Sequence, residues 1–178
     1  TDNDGATARS RKVDISINFP DYDYEVFLSD DAHFHTSAFD LVLSTGLTNS
    51  EIRYTLDGSN PLESDQVQVH AAPVTLQIDP LDVSSGRGST PGVVLRAVVF
   101  ANGIQQSRIL TQTYLFIDEV SSQTYPGGAW PDYHVNDQLL YYSVNQSVVN
   151  DEAYASLIDD ALIDIPSISL VTDLEHLF

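Results

Sequence analysis

The side chains with the most chemical reach in the first half of the chain are His33 and His35, which flank Phe34 and follow Asp30 and Asp31. Imidazoles at i and i+2 of an extended segment share one face, and with a carboxylate nearby they supply the donors that zinc or copper takes. The same spacing fits two exposed or edge-strand histidines, since a metal site draws further ligands that spacing alone does not place. A second group is aromatic. Trp130, Tyr125, Tyr141 and Tyr142 lie outside any strand pattern and are the candidates for contact with a sugar ring or a protein partner, whereas Tyr54 sits at an alternating position and reads as core. Nucleophilic and phosphate chemistry find no motif. There is no Gly-x-Ser-x-Gly elbow, and Ser85-Gly86-Arg87-Gly88-Ser89 has neither that spacing nor the Lys-Ser/Thr pair of a phosphate-binding loop. Carboxylate pairs abound, but with 26 acids composition nominates no glycosidase pair.

Charge narrows the partners. The 178 residues carry 26 acids against seven Lys and Arg residues, Lys12 is the only lysine, and after Arg108 there is no Lys or Arg at all. Such a surface repels nucleic acid, whose binding needs cations that displace condensed counterions, and disfavours anionic membranes for the same reason. A solvated acidic surface suited to a saline setting accounts for the imbalance. Ca²⁺ is the alternative cofactor, because hard carboxylate oxygens suit it, although no Asp-x-Asp-x-Asp-Gly loop is present. Zero cysteines exclude disulfides and thiolate metal sites, and no apolar run approaches the roughly 20 residues of a membrane helix. A chain beginning at Thr1 without methionine or a signal-peptide pattern is expected to be a processed piece of a longer precursor.

The elements that must hold these residues are mostly strands. Residues 1–12, polar and holding Arg9, Arg11 and Lys12, read as a flexible arm, and 13–19 alternates as a first strand. The stretch 21–26 sets Tyr22, Tyr24 and Val26 on one face and three carboxylates on the other. Further strands are expected at 39–44, 51–56, 74–78, 93–100 and 104–116, the last two joined by Asn102-Gly103, a pair that favours a type I′ turn. Residues 84–92 read as a mobile loop. No helical pattern precedes Asp151. About seven strands at this spacing predict a mainly β, two-sheet antiparallel sandwich over 13–117, with Ile52, Tyr54, Leu56, Val74, Leu76, Leu95, Ala97 and Val99 in its core.

Residues 118–178 differ in kind. Residues 121–131, rich in Ser, Gly and Pro, read as a linker ordered only where Trp130 and Tyr125 dock. A short amphipathic helix is expected near 151–163, capped by Asn150, ending by Asp164 before Pro166, with an apolar stripe of Tyr154, Leu157, Ile158, Ala161 and Leu162. A strand at 167–171 and a capping box opening a second helix at 172–175 follow. This extension is too small to form its own core and should pack on the sandwich or on a partner.

The segment Ile52 to Pro61 joins an alternating strand to a tight corner. In the turn of Asp57, Gly58, Ser59, Asn60 and Pro61, Asp57 supplies an Asx-type acceptor, Gly58 a residue free to take positive φ and Pro61 a stop to the ladder. With Ala38 to Thr45 before it and Ala72 to Leu76 after it, this stretch resembles the chitobiase/β-hexosaminidase C-terminal domain family. That resemblance implies a small immunoglobulin- or fibronectin-like sandwich, usually an accessory module beside a catalytic domain. Residues 148–151 and 165–178 resemble the opening segment of CotH-like proteins in large exported bacterial polypeptides, where such a sandwich commonly precedes the CotH-like region. The catalytic residues of those atypical kinases lie downstream of this segment, so the resemblance implies a setting and no kinase chemistry here. The expected role is a non-catalytic structural or interaction module of an exported protein, whether periplasmic, cell-surface or extracellular, docking to other protein subunits or to its own polypeptide. A carbohydrate-binding accessory domain is the first alternative; a fragment of a CotH-like kinase or a glycoside hydrolase is the second.

Overall fold

The computed structural model describes residues 20–84, 86–127, 130, 131, 134, 135 and 137–173. The expected strand at 13–19, the arm before it and the helix opening at 172–175 lie wholly or mostly outside the described residues.

Alternation builds two sheets. In β3 (Phe39–Ser44), Leu41 and Leu43 are fully buried while Asp40 faces out; in β4 (Glu51–Thr55), Ile52 and Tyr54 point in and Arg53 out. β3 lies between β1 (Phe27–Leu28) and β6 (Val74–Ile78) in an antiparallel three-stranded sheet. The second sheet runs β2 (Phe34–His35), β9 (Leu110–Phe116), β7 (Gly92–Ala101), β4, β5 (Gln68–Ala71), with β8 (Ile104–Gln105) also on β7. Its pairs are antiparallel except β2 on β9. Between the sheets sit Leu41, Leu43, Leu76 and Ile78 from the first and Ile52, Val93, Leu95, Val99, Tyr114 and Phe116 from the second. The fold is a β-sandwich. Of the expected core, Leu56 and Val74 are only partly buried against this cluster, because both lie where a strand meets a turn.

The hairpin tip behaves as its residues dictate, with φ of 51° at Asn102 and 75° at Gly103, both in the left-handed region of a type I′ turn.

Five local expectations are corrected. Residues 21–26 keep the inward Tyr22, Tyr24 and Val26 and the outward carboxylates, but their backbone pairing is a single bridge from Tyr24 to Ser107; the paired strand is Phe27–Leu28. The strand expected over 104–116 breaks at 106–109, where the buried Ser107 hydroxyl takes the Val99 N–H (2.9 Å) and donates to the Arg108 carbonyl (2.8 Å). β5 was not expected. Val67 and Val69 alternate there, but every β5 residue is exposed on an edge strand, so the burial signal that marks a strand is weak. Among the described residues two short helices precede Asp151: α1 (Ile117–Val120) and α2 (Gln146–Val149), the latter capped by the Asn145 side chain. The loop at 84–92 is not loose; its described residues are held by Arg87.

Beyond α1 the chain forms a small antiparallel pair, β10 (His134–Val135) with β11 (Gln138–Leu139), then α2, a 3-10 turn at Ala155–Leu157 and α3 (Ile158–Asp164). The helix therefore starts later than 151, and Asn150 is a C-cap of α2, not an N-cap. Asp151 uses its Oδ1 on the Ala153 N–H (2.8 Å), which closes a turn and delays the helix. It stops at Asp164, before Pro166. Residues 167–171 are extended but unpaired in any ladder. No helix among the described residues is long and apolar enough to cross a membrane.

Candidate functional site

Three regions carry the expected residues. At the corner after β4, Asp57 Oδ1 accepts the Ser59 N–H (3.0 Å) and hydroxyl (2.5 Å), and Gly58 takes φ 78°. A side chain on Gly58 would also press on Val94, whose Cγ1 lies 3.2 Å from where a Cβ would stand. The Gly58 N–H reaches the Val94 carbonyl (3.0 Å), Thr55 Oγ1 donates to the Ser59 carbonyl (2.7 Å), and Pro61 is fully buried. This corner is a fold element.

Beside it, the crossing from β6 to β7 is organised by Arg87, which sequence reasoning passed over as one residue of a Gly-Ser loop. Its guanidinium is buried and donates to the carbonyls of Asp79 (2.7 Å), Pro80, Thr90 (3.3 Å) and Gly92 (3.2 Å) and to Thr90 Oγ1 (3.0 Å). Burial lowers its pKa, opposed by the charges of Asp82 and Asp79. Asp82, receiving the Ser84 N–H and hydroxyl, is held below the usual carboxylate range.

The aromatic candidates close over this clasp. Trp130 Nε1 donates to the Arg87 carbonyl (2.8 Å), Tyr125 OH to the Trp130 carbonyl (2.7 Å), and Tyr142 OH to the Pro131 carbonyl (2.6 Å). The Tyr142 ring meets Trp130 edge-on at 89° (5.9 Å) and Tyr125 at 60° (5.6 Å). These three are brought together, as a brace with its polar atoms used internally. Tyr141 is left out, 82% exposed. A cleft of about 300 Å³ lies between Trp130, Arg87 and Asp57.

The histidines are not assembled as a metal centre. His33 Nδ1 lies 3.3 Å from both the Thr113 carbonyl and Gln112 Nε2, while His35 Nε2 lies 3.1 Å from the Ala32 carbonyl and 4.0 Å from Asp30 Oδ1. The Asp30 carboxylate instead takes the Ala32 N–H (2.9 Å). The His35 ring stacks on Phe39 with centroids 4.0 Å apart. Among the described residues no group of three or more His, Cys, Asp or Glu is placed to hold a metal ion. The physical reason is local: each imidazole is spent on backbone or ring contacts that seat β2 against β9. Tyr114, buried below, donates to the Asp30 carbonyl (2.9 Å), and burial together with the Asp30 and Asp31 charges raises its pKa.

The third region is the extended run after α3. It lies on the outer face of the larger sheet, where the Ser169 hydroxyl is 2.6 Å from Thr113 Oγ1, Val171 approaches Gly58, and the Asp173 carboxylate pairs with Arg96. Arg96 is buried in β7 and its Nε has no hydrogen-bond partner. With Ser169, Val171 and Asp173 turned to the sheet, the opposite parity turns away: Ile168 is 85% exposed and Leu170 89%; Ile165, nearer α3 and of the other parity, is 64% exposed. A groove of about 630 Å³ runs between this segment and the β2 and β9 edge. Sequence reasoning found the segment and its strand-like alternation but not its anchors, although an arginine inside the apolar run Val93 to Phe100 is a signal for a buried partner.

Residues 41–114, from β3 into β9, match the family model described as Fn3 associated. The sandwich segment is thus similar to an immunoglobulin-like module of the non-catalytic accessory kind, in agreement with the corner at 57–61. No curated protein and no solved structure matches the chain.

Proposed function

We propose that this chain is a non-catalytic interaction module of an exported or cell-surface bacterial protein, a sandwich that presents residues 163–171 for docking to its own longer polypeptide or to an assembly. The observation that carries this reading is the pinned segment itself. Its polar side is tied to Thr113 and Arg96, while Ile165, Ile168 and Leu170 stand in solvent. Exposed aliphatic side chains on an anchored, extended backbone are arranged for burial against something else. The similarity to an accessory-type family supports the absence of chemistry of its own.

A sugar-binding role is less well supported. Stacking on a glycan wants rings in one plane with free faces, whereas Trp130, Tyr125 and Tyr142 meet at steep angles and use their polar atoms on backbone carbonyls. The test is amide exchange on this chain and on a polypeptide that continues into the CotH-like region. Residues 163–171 should exchange at least about tenfold more slowly in the longer protein, the mark of roughly 1.4 kcal/mol of added protection. Equal exchange in both would refute docking to its own polypeptide, and equal exchange in the native assembly would refute docking altogether.

A further inference from the structure

Residues 167–171 are extended and enter no ladder, yet their backbone is held: the Ser169 hydroxyl bonds Thr113 Oγ1 (2.6 Å) and Asp173 pairs with Arg96. An extended backbone that is fixed on one face and joins no sheet offers its N–H and C=O groups as a template for a further strand. The fixing also removes ordering cost that binding would otherwise meet. The groove of about 630 Å³ follows the same segment, with apolar walls from Phe34, Leu115, Ile163, Ile165, Pro166 and Ile168, so an added strand would lie along it.

Such a strand would turn alternate side chains down onto Phe34 and Leu115 and the others up beside Ile168 and Leu170. Apolar surface on both sides calls for a continuous aliphatic run, as in strands buried on both faces. The surrounding charge sets what flanks that run. Asp30 and Asp31 precede β2, which carries Phe34, and Asp159, Asp160 and Asp164 are exposed on α3, which leads into Ile165. No Lys or Arg occurs after Arg108 to answer them, and Arg53, Arg87 and Arg96 are engaged by Glu51 (2.7 Å), by backbone carbonyls and by Asp173. A second copy, of net charge −19, would bring further acids to this place. Building on the reading of residues 163–171 as the docking surface, we propose that their partner is a short β-strand of continuous aliphatic residues flanked by Lys or Arg, which pairs with residues 167–171 and fills the groove.

The probe is a fluorescein-labelled peptide with a Val-Ile-Val-Ile-Val core between Lys-Lys pairs, titrated into the full chain and followed by anisotropy. One control peptide is N-methylated throughout the core, which keeps charge and apolar area but forbids strand pairing; another carries Glu in place of Lys. The lysine peptide should bind at least about tenfold more tightly than either control. Its affinity should fall about tenfold when Ile168→Ser and Leu170→Ser are combined, two exposed positions whose change leaves the fold intact, and should weaken in molar salt. Residue-resolved amide exchange gives the mark of a strand: every second amide of 167–171 should slow on binding and the intervening ones should not, because successive N–H groups point to opposite sides. Equal affinity for the lysine and N-methylated peptides would reduce the effect to charge attraction and overturn the proposal, as would slowing of all these amides or of none. The wider reading is tested separately: if the native assembly protects residues 163–171 and the lysine peptide does not, docking stands and the strand partner is refuted, whereas protection in neither refutes both.

Discussion

Replacing Arg87 with alanine tests the clasp that joins the two sheets. The side chain ties Asp79 and Pro80 at the end of β6 to Thr90 and Gly92 at the start of β7. Without it the Gly92 carbonyl keeps a donor in Thr90 Oγ1 (2.6 Å) and the Asp79 carbonyl keeps the Asp82 N–H (3.3 Å), so two carbonyls, those of Pro80 and Thr90, lose their partner. At about 1 kcal/mol for each buried acceptor left unpaired, the loss is about 2 kcal/mol. The arginine's own desolvation, visible in its lowered pKa, works in the other direction and sets the expected net at about 1–2 kcal/mol. Lysine retains the charge but not the planar fork, so Arg87→Lys should fall between, at about 1 kcal/mol. Urea unfolding followed by circular dichroism gives the global value, and Trp130, the only tryptophan and bonded to the Arg87 carbonyl, gives a local fluorescence reading. If both variants stay within about 0.5 kcal/mol of the parent, the range of an ordinary surface change, the clasp is decorative and the reasoning fails.

Stability should also fall in alkali. Tyr114 and Tyr54 have folded pKa values raised by burial, so their contribution is intact below the unfolded value near 10 and is lost as pH rises above it. Unfolding titrations from pH 9 to 11 should show a slope of up to about 1.4 kcal/mol per pH unit for each, and Tyr114→Phe should remove one share; a flat profile would contradict the burial argument. Removing Asp173 leaves buried Arg96 without its carboxylate, so Asp173→Ala should speed amide exchange across 167–173 about tenfold while β7 is unchanged, and equal exchange would show that the pair anchors nothing. The 26-to-7 charge imbalance predicts that molar salt or millimolar Ca²⁺ raises the melting temperature, and a Tm indifferent to chelator, calcium and salt would mean the acids merely solvate the surface.

What was readable in the sequence was whatever a local rule decides. The corner at Asp57 to Pro61 and the turn at Asn102-Gly103 follow from stereochemistry within four or five residues, β3, β4 and β6 from alternation against one dry face, and β7 from a continuous β-branched, apolar run that is buried from Leu95 to Phe100. Where an element depends on a distant partner, the reading failed in a consistent way. Residues 21–26 alternate as a strand should, yet pairing goes to Phe27–Leu28 because that pair meets Leu43 and Ser44 across the sheet. Ser107 looks like an ordinary strand residue until its hydroxyl takes the Val99 N–H and breaks the run.

The candidate sites show the same division with a sharper lesson. The spacing of His33 and His35 suits a metal, but a histidine's nitrogens serve whichever polar group is nearest, and here those are the Thr113 carbonyl and Gln112 amide for His33 and the Ala32 carbonyl for His35. Arg87 and Arg96 were passed over because a lone arginine carries no motif. In a chain with seven cations and 26 acids, however, an arginine withheld from solvent is the informative residue, since any surface position would give it a carboxylate at far lower desolvation cost. Both prove to be fasteners: Arg87 across the two sheets, Arg96 onto the extended segment whose aliphatic side chains face outward. The scarcity of cations therefore points to the sites where backbone geometry is held, and the abundance of carboxylates says little.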